Sequence, residues 1–74
     1  MEKITKQQLA LRLSRAINYP VDIQGVNTLL YGWRVHRKFG KKYVKALLNR
    51  EWLYITEVLD FSDYVGYNLA VFPP

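Results

Sequence analysis

Cysteine is absent from the 74 residues, so neither a disulfide framework nor a thiolate zinc site is available. Histidine is nearly absent too: His36 is the only one, and it sits amid cations. A catalytic nucleophile needs a base within hydrogen-bond reach, and neither Ser14 nor Ser62 has an evident partner. The six carboxylates include no pair spaced as a metal site or an acid–base dyad. No glycine-rich phosphate loop occurs. These gaps argue against an enzyme, a metal centre or a bound cofactor. Long apolar runs are missing as well. Arg12 and Arg15 interrupt the early hydrophobic stretch, and Arg34 follows the run at residues 29–33. Neither a signal peptide nor a membrane span is therefore expected. A soluble, cytoplasmic protein fits this pattern, and the lack of cysteine fits a reducing compartment.

The most informative deficit is local. Residues 34–50 contain no Asp or Glu, yet they hold Arg34, Arg37, Lys38, Lys41, Lys42, Lys45 and Arg50. The first six are separated by steps of three, one, three, one and three, the spacing of one helix face. At about 100° per residue they occupy an arc of roughly 140°. Val35, Phe39, Tyr43, Ala46 and Leu47 lie opposite and are expected to face the core. Like charges at i,i+4 repel by a few tenths of a kcal/mol per pair, so an unmixed stripe implies an anionic counterpart.

Charge along the chain is uneven. Residues 1–33 carry net +2, residues 34–50 net +7 and residues 51–74 net −4, which together make the overall +5. Glu51, Glu57, Asp60 and Asp63 supply the last block. They could fold back onto the stripe and pair with it, in which case the stripe binds nothing external.

One domain spanning residues 1–74 is expected from the length. The first helix has clear limits. Thr5 and Gln8 form a T-x-x-Q capping box, Ile4 and Leu9 a hydrophobic staple, and Asn18-Tyr19-Pro20 the stop. Leu9, Ala10, Leu13, Ala16 and Ile17 make its apolar stripe. Leu11 points away from that stripe, either beneath a later element or into a protein contact. A second helix should start near Asp22, with Val26, Leu29, Leu30 and Trp33 inward. The third is expected to run unbroken across Gly40 and to close at Asn49 and Arg50.

Residues 52–59 are rich in β-branched and aromatic side chains and predict a strand. Asp60-Phe61-Ser62-Asp63 predicts the turn, and residues 64–72 the returning strand, with Gly66 as a bulge. The expected fold is α+β: a small single domain of three helices followed by a C-terminal β-hairpin. That order resembles a small winged-helix domain in element order and size only.

The cationic stripe points to nucleic-acid binding, with DNA the expected target, because Lys and Arg neutralise phosphates and release condensed counterions. In the winged-helix arrangement the third helix would enter the major groove. Arg34, Arg37 and Lys38 would reach base edges, while Lys41, Lys42, Lys45 and Arg50 would hold phosphates. Arg12 and Arg15 would extend the footprint. An acidic hairpin tip at Asp60 and Asp63 would be repelled by phosphate, which keeps a second reading open. That reading is a small protein-binding regulator or inhibitor, of the kind mobile elements and phages encode. Its basic face would dock on an acidic or nucleic-acid-binding surface of a larger protein. Membrane contact is disfavoured because the apolar flank is needed for the core. Either a monomer or a homodimer is compatible with the sequence, with Leu11 or the hairpin edge as the interface.

Overall fold

A computed structural model describes residues 2–70. The chain runs β1 (Lys3–Thr5), α1 (Lys6–Ile17), α2 (Ile23–His36), α3 (Lys41–Asn49), β2 (Trp52–Tyr54) and α4 (Ile55–Val65). The expected three helices followed by a C-terminal hairpin are thus replaced by four helices and a two-stranded sheet. That sheet joins the N-terminus to mid-chain.

The sheet is antiparallel, with Lys3 opposite Tyr54, Ile4 opposite Leu53 and Thr5 opposite Trp52. Alternation sends Ile4 and Leu53 into the core. A three-residue strand was too short to be read from periodicity, and its pairing is entirely non-local.

The capping box forms as expected. Thr5 Oγ1 accepts from the Gln8 N–H at 3.0 Å, and Gln8 Oε1 accepts from the Thr5 N–H at 3.1 Å. Asn18 ends α1 in the left-handed region, with φ 54°. Leu9, Ala10 and Leu13 are buried, but Ala16 and Ile17 are exposed, so the apolar stripe is shorter than expected. Leu11 is 56% exposed, and no described element covers it. Asp22 caps α2, its carboxylate accepting from the Gly25 N–H at 2.8 Å. Val26, Leu30 and Trp33 of α2 are buried, and Leu29 is half-buried.

The third helix does not run through Gly40. Instead α2 ends in a Schellman motif: the Lys38 N–H donates to Val35 O and the Phe39 N–H to Arg34 O, both at 3.0 Å. Lys38 occupies the left-handed position, at φ 61°, where glycine is usual. Gly40 then serves as the N-cap of α3. The break rotates the two halves of the supposed stripe relative to each other. Val35, Phe39, Tyr43 and Ala46, expected to face the core, are exposed; of that set only Leu47 is buried.

The predicted strand over residues 52–59 stops at Tyr54, and the predicted turn at residues 60–63 lies inside α4. From Ile55 the inward residues are Ile55, Val58, Phe61, Ser62 and Val65, at helical spacing. Glu57 reaches back to accept the Tyr54 N–H at 2.9 Å, fixing the helix start. Packing of Phe61 on Trp33, ring centroids 5.5 Å apart, outweighs local β propensity. The returning strand is also corrected. Tyr64 and Val65 finish α4, and Gly66 is its left-handed cap at φ 82° rather than a bulge. The last four residues of that predicted strand region and tail, 71–74, lie outside the described residues. With no C-terminal hairpin among the described residues, the hairpin edge is removed as a dimer interface.

Candidate nucleic-acid interface

The seven cations of residues 34–50 separate into two groups. Arg34, Arg37 and Arg50 are engaged by acids of α4, while the four lysines are not.

Arg34 is a buried residue, not a member of a solvent stripe. Its guanidinium lies 3.6 Å from the Trp33 ring centroid and 4.3 Å from that of Phe39. Arg34 Nη2 donates to Glu57 Oε2 and to the Tyr43 hydroxyl, each at 3.2 Å. Arg50 Nη2 donates to the other Glu57 oxygen at 2.7 Å. Tyr43 in turn donates to Glu57 Oε2. One carboxylate thus ties the end of α2, the first turn of α3 and the residue after α3 to the first turn of α4. Burial pushes the Glu57 carboxyl up, but hydrogen bonds from Tyr54 N–H, Arg50 and Tyr43 and the Arg50 charge outweigh it. The group lies below the usual carboxylate range.

Arg37 pairs with Asp60 at 3.3 Å on the exposed side, and Asp60 also accepts from Trp33 Nε1 at 3.2 Å. Residues 34 and 37 are three apart, as are residues 57 and 60, so two helix faces meet rung by rung. The expectation that acids fold back onto the stripe therefore holds for Glu57 and Asp60. Neither Arg34 nor Arg37 opens the third helix; they close the second, with their charge directed at α4.

Lys38, Lys41, Lys42 and Lys45 are exposed and form no hydrogen bond or ion pair among the described residues. They cluster at the connection between α2 and α3 and on the first half of α3. Relative to buried Val44, the outward arc of α3 carries Lys42, Lys45, Ala46 and Asn49, at positions i, i+3, i+4 and i+7. The first turn of α3 contains no acid, and Gly40 supplies no side-chain cap. Its free N–H groups and the helix dipole are thus positive where Lys41 and Lys42 add two charges.

Of the α1 cations expected to extend the footprint, Arg12 is engaged within the fold. Arg12 Nη1 donates to Leu69 O at 2.8 Å and so holds the C-terminal segment. Arg15 is exposed. Lys6, not singled out from sequence, is buried, and its amine donates to Leu47 O and Leu48 O at 3.0 and 2.9 Å. It closes the C-terminal end of α3. No spacing in the sequence separates arginine from lysine in the run, because Lys38 and Lys41, and Lys42 and Lys45, are three apart just as Arg34 and Arg37 are. Asn49, with its amide on the outward arc, carried no sequence signal until the phase of α3 was known. No protein-family model, curated protein or solved structure matches this chain.

Proposed function

We propose that this protein binds nucleic acid, with duplex DNA the target, through the α2–α3 connection and the outward face of α3. One observation carries the reading: four exposed lysines without acidic partners surround a helix N-terminus that lacks any acidic cap. Lysines at that end oppose the helix dipole, and Lys38 adds a left-handed backbone that costs a non-glycine residue about 1–2 kcal/mol. Anionic oxygen at this site would relieve both the charge crowding and the unfilled N–H groups.

Lys38, Lys41 and Lys42 hold phosphates in this reading. Lys45 and Asn49 are the residues best suited to base edges, since Asn pairs with adenine and Lys with guanine in the major groove. Ala46 between them allows close approach. The four-residue connection, residues 37–40, has the length of a helix-turn-helix turn and contains a glycine. Arg34 and Arg37, expected at base edges, instead tie α2 to α4, and Arg34 also holds Tyr43 of α3.

Fluorescence anisotropy against a random-sequence duplex tests the proposal. With three phosphate contacts, log K should fall against log salt with a slope near −2.7, roughly 40-fold weaker at 200 than at 50 mM. Absence of binding at low salt, or binding that ignores salt, rules the reading out.

A further inference from the structure

Beside the lysine cluster, α2 and α3 leave an apolar groove of about 500 Å³. Tyr31, Val35 and Phe39 form one wall, and Val44 and Leu48 form the floor and the other wall. Val35 is 52% and Phe39 43% exposed. Lys41 and Lys45 stand on its rim. Large side chains gathered in one groove and facing water form a surface suited to a partner.

We propose that this groove docks an acidic amphipathic helix of a partner protein. Two helices with an aliphatic floor between them match the helix-in-groove mode, in which apolar anchors at i, i+3 or i+4 and i+7 fill the trough. The rim then selects charge. Lys41 and Lys45 have no ion-pair partner among the described residues, so carboxylates flanking the anchors would meet them.

The same charges argue against the other occupants. A second copy seated groove to groove would set Lys41 and Lys45 against their own equivalents. Among the described helices only α4 contains acids, and with Glu57 and Asp60 engaged it leaves Asp63 as its one carboxylate to face two rim lysines. A duplex would lay phosphates and polar edges over Val35, Val44 and Leu48, which offer no hydrogen bonds. The inference does not rest on the nucleic-acid reading, since the groove's apolar wall and the outward Lys42 are different surfaces. Lys41, Lys45 and Asn49 nevertheless border both, so a docked acidic helix and a nucleic acid would compete.

The test is a titration of the full chain with a fluorescein-labelled 18-residue helical peptide, monitored by anisotropy and by amide chemical shifts. The peptide carries Leu at i, i+3, i+4 and i+7 positions and Glu elsewhere. Two controls are the same peptide with Lys for Glu and a scrambled peptide of the acidic composition. The acidic helix should bind, with shifts centred on Val35, Phe39, Val44 and Leu48, and both controls should bind at least about tenfold more weakly. Val35→Asp and, separately, Lys45→Glu should each weaken it about tenfold, whereas Lys42→Glu should leave it unchanged. Lys45 is exposed, so its reversal keeps the test decisive should Val35→Asp fail to fold. Equal binding of the scrambled peptide, or none of the acidic one, overturns the proposal. Self-association abolished by Val35→Asp would assign the groove to a second copy instead. Loss of duplex binding in Val35→Asp would assign it to nucleic acid. Loss of duplex binding confined to Lys42→Glu would leave the groove proposal intact.

Discussion

Arg34 Nη2 stands 3.2 Å from Glu57 Oε2, with the two side chains only 4% and 10% exposed. Arg50 holds the second oxygen of the same carboxylate. Removing one partner of a buried pair leaves charge uncompensated, which costs about 3–5 kcal/mol. Glu57→Ala strands two arginines and should remove most of the stability of a domain this small, as a collapse of the urea midpoint. Arg34→Lys should be nearly as damaging, since an ammonium lacks the planar guanidinium face that lies against the Trp33 and Phe39 rings. A loss below about 1 kcal/mol in either variant would show the pair to be peripheral.

Acid should act on the same group. The Glu57 carboxyl lies below its ordinary value of 4.5 in the folded chain. For a depressed carboxyl the associated stability is complete above the unfolded value and is lost as pH falls through the folded one. Urea midpoints should therefore hold steady from neutrality toward pH 5 and drop once the pH passes below 4.5. Glu57→Gln should flatten that acid limb relative to the parent. An unchanged slope would assign acid unfolding to other carboxyls.

Lys38 offers a case in which stability and binding move in opposite directions. Its φ of 61° suits glycine. Lys38→Gly should raise stability by about 1 kcal/mol, the strain relieved less the added chain entropy. Duplex affinity should fall with the lost charge. Thermal unfolding and anisotropy on one preparation check both, and a less stable variant would refute the strain argument.

The division between free lysines and engaged arginines can be read directly from salt dependence. Lys41→Glu with Lys42→Glu should change stability by no more than about 0.5 kcal/mol and flatten the salt slope by about 2. Arg37→Ala breaks an exposed pair worth at most about 1 kcal/mol, and Asp60 keeps its bond from Trp33 Nε1. The slope of Arg37→Ala should match the parent. Equal effects from the arginine and the lysines would restore a single continuous cationic face.

Local chemistry explains which features were legible in advance. Thr5, Gln8, Asn18 and Asp22 act through hydrogen bonds to residues within four positions, so the limits of α1 and the start of α2 follow from neighbours alone. The end of α2 did not follow, because a lysine sits where glycine normally marks the left-handed cap. Continuity of charge across Gly40 was then read as continuity of helix. The region after Trp52 misled for another reason. Its β-rich composition is satisfied by three strand residues, while the helical spacing of Ile55, Val58, Phe61 and Val65 emerges only over a longer window.

The cationic run itself is a property of sequence: seven positive charges in residues 34–50 with no acid among them hold whatever the fold. So do the two N-terminal helix caps, since hydrogen bonds to near neighbours decide them. Which of those charges face outward was decided only by tertiary structure. Packing of α4 against α2 brings Glu57 and Asp60, more than twenty positions away, onto Arg34 and Arg37. Burial makes an uncompensated guanidinium far more costly than an exposed ammonium. Arginine, with its planar fork, takes the carboxylates, and the lysines stay in water facing outward.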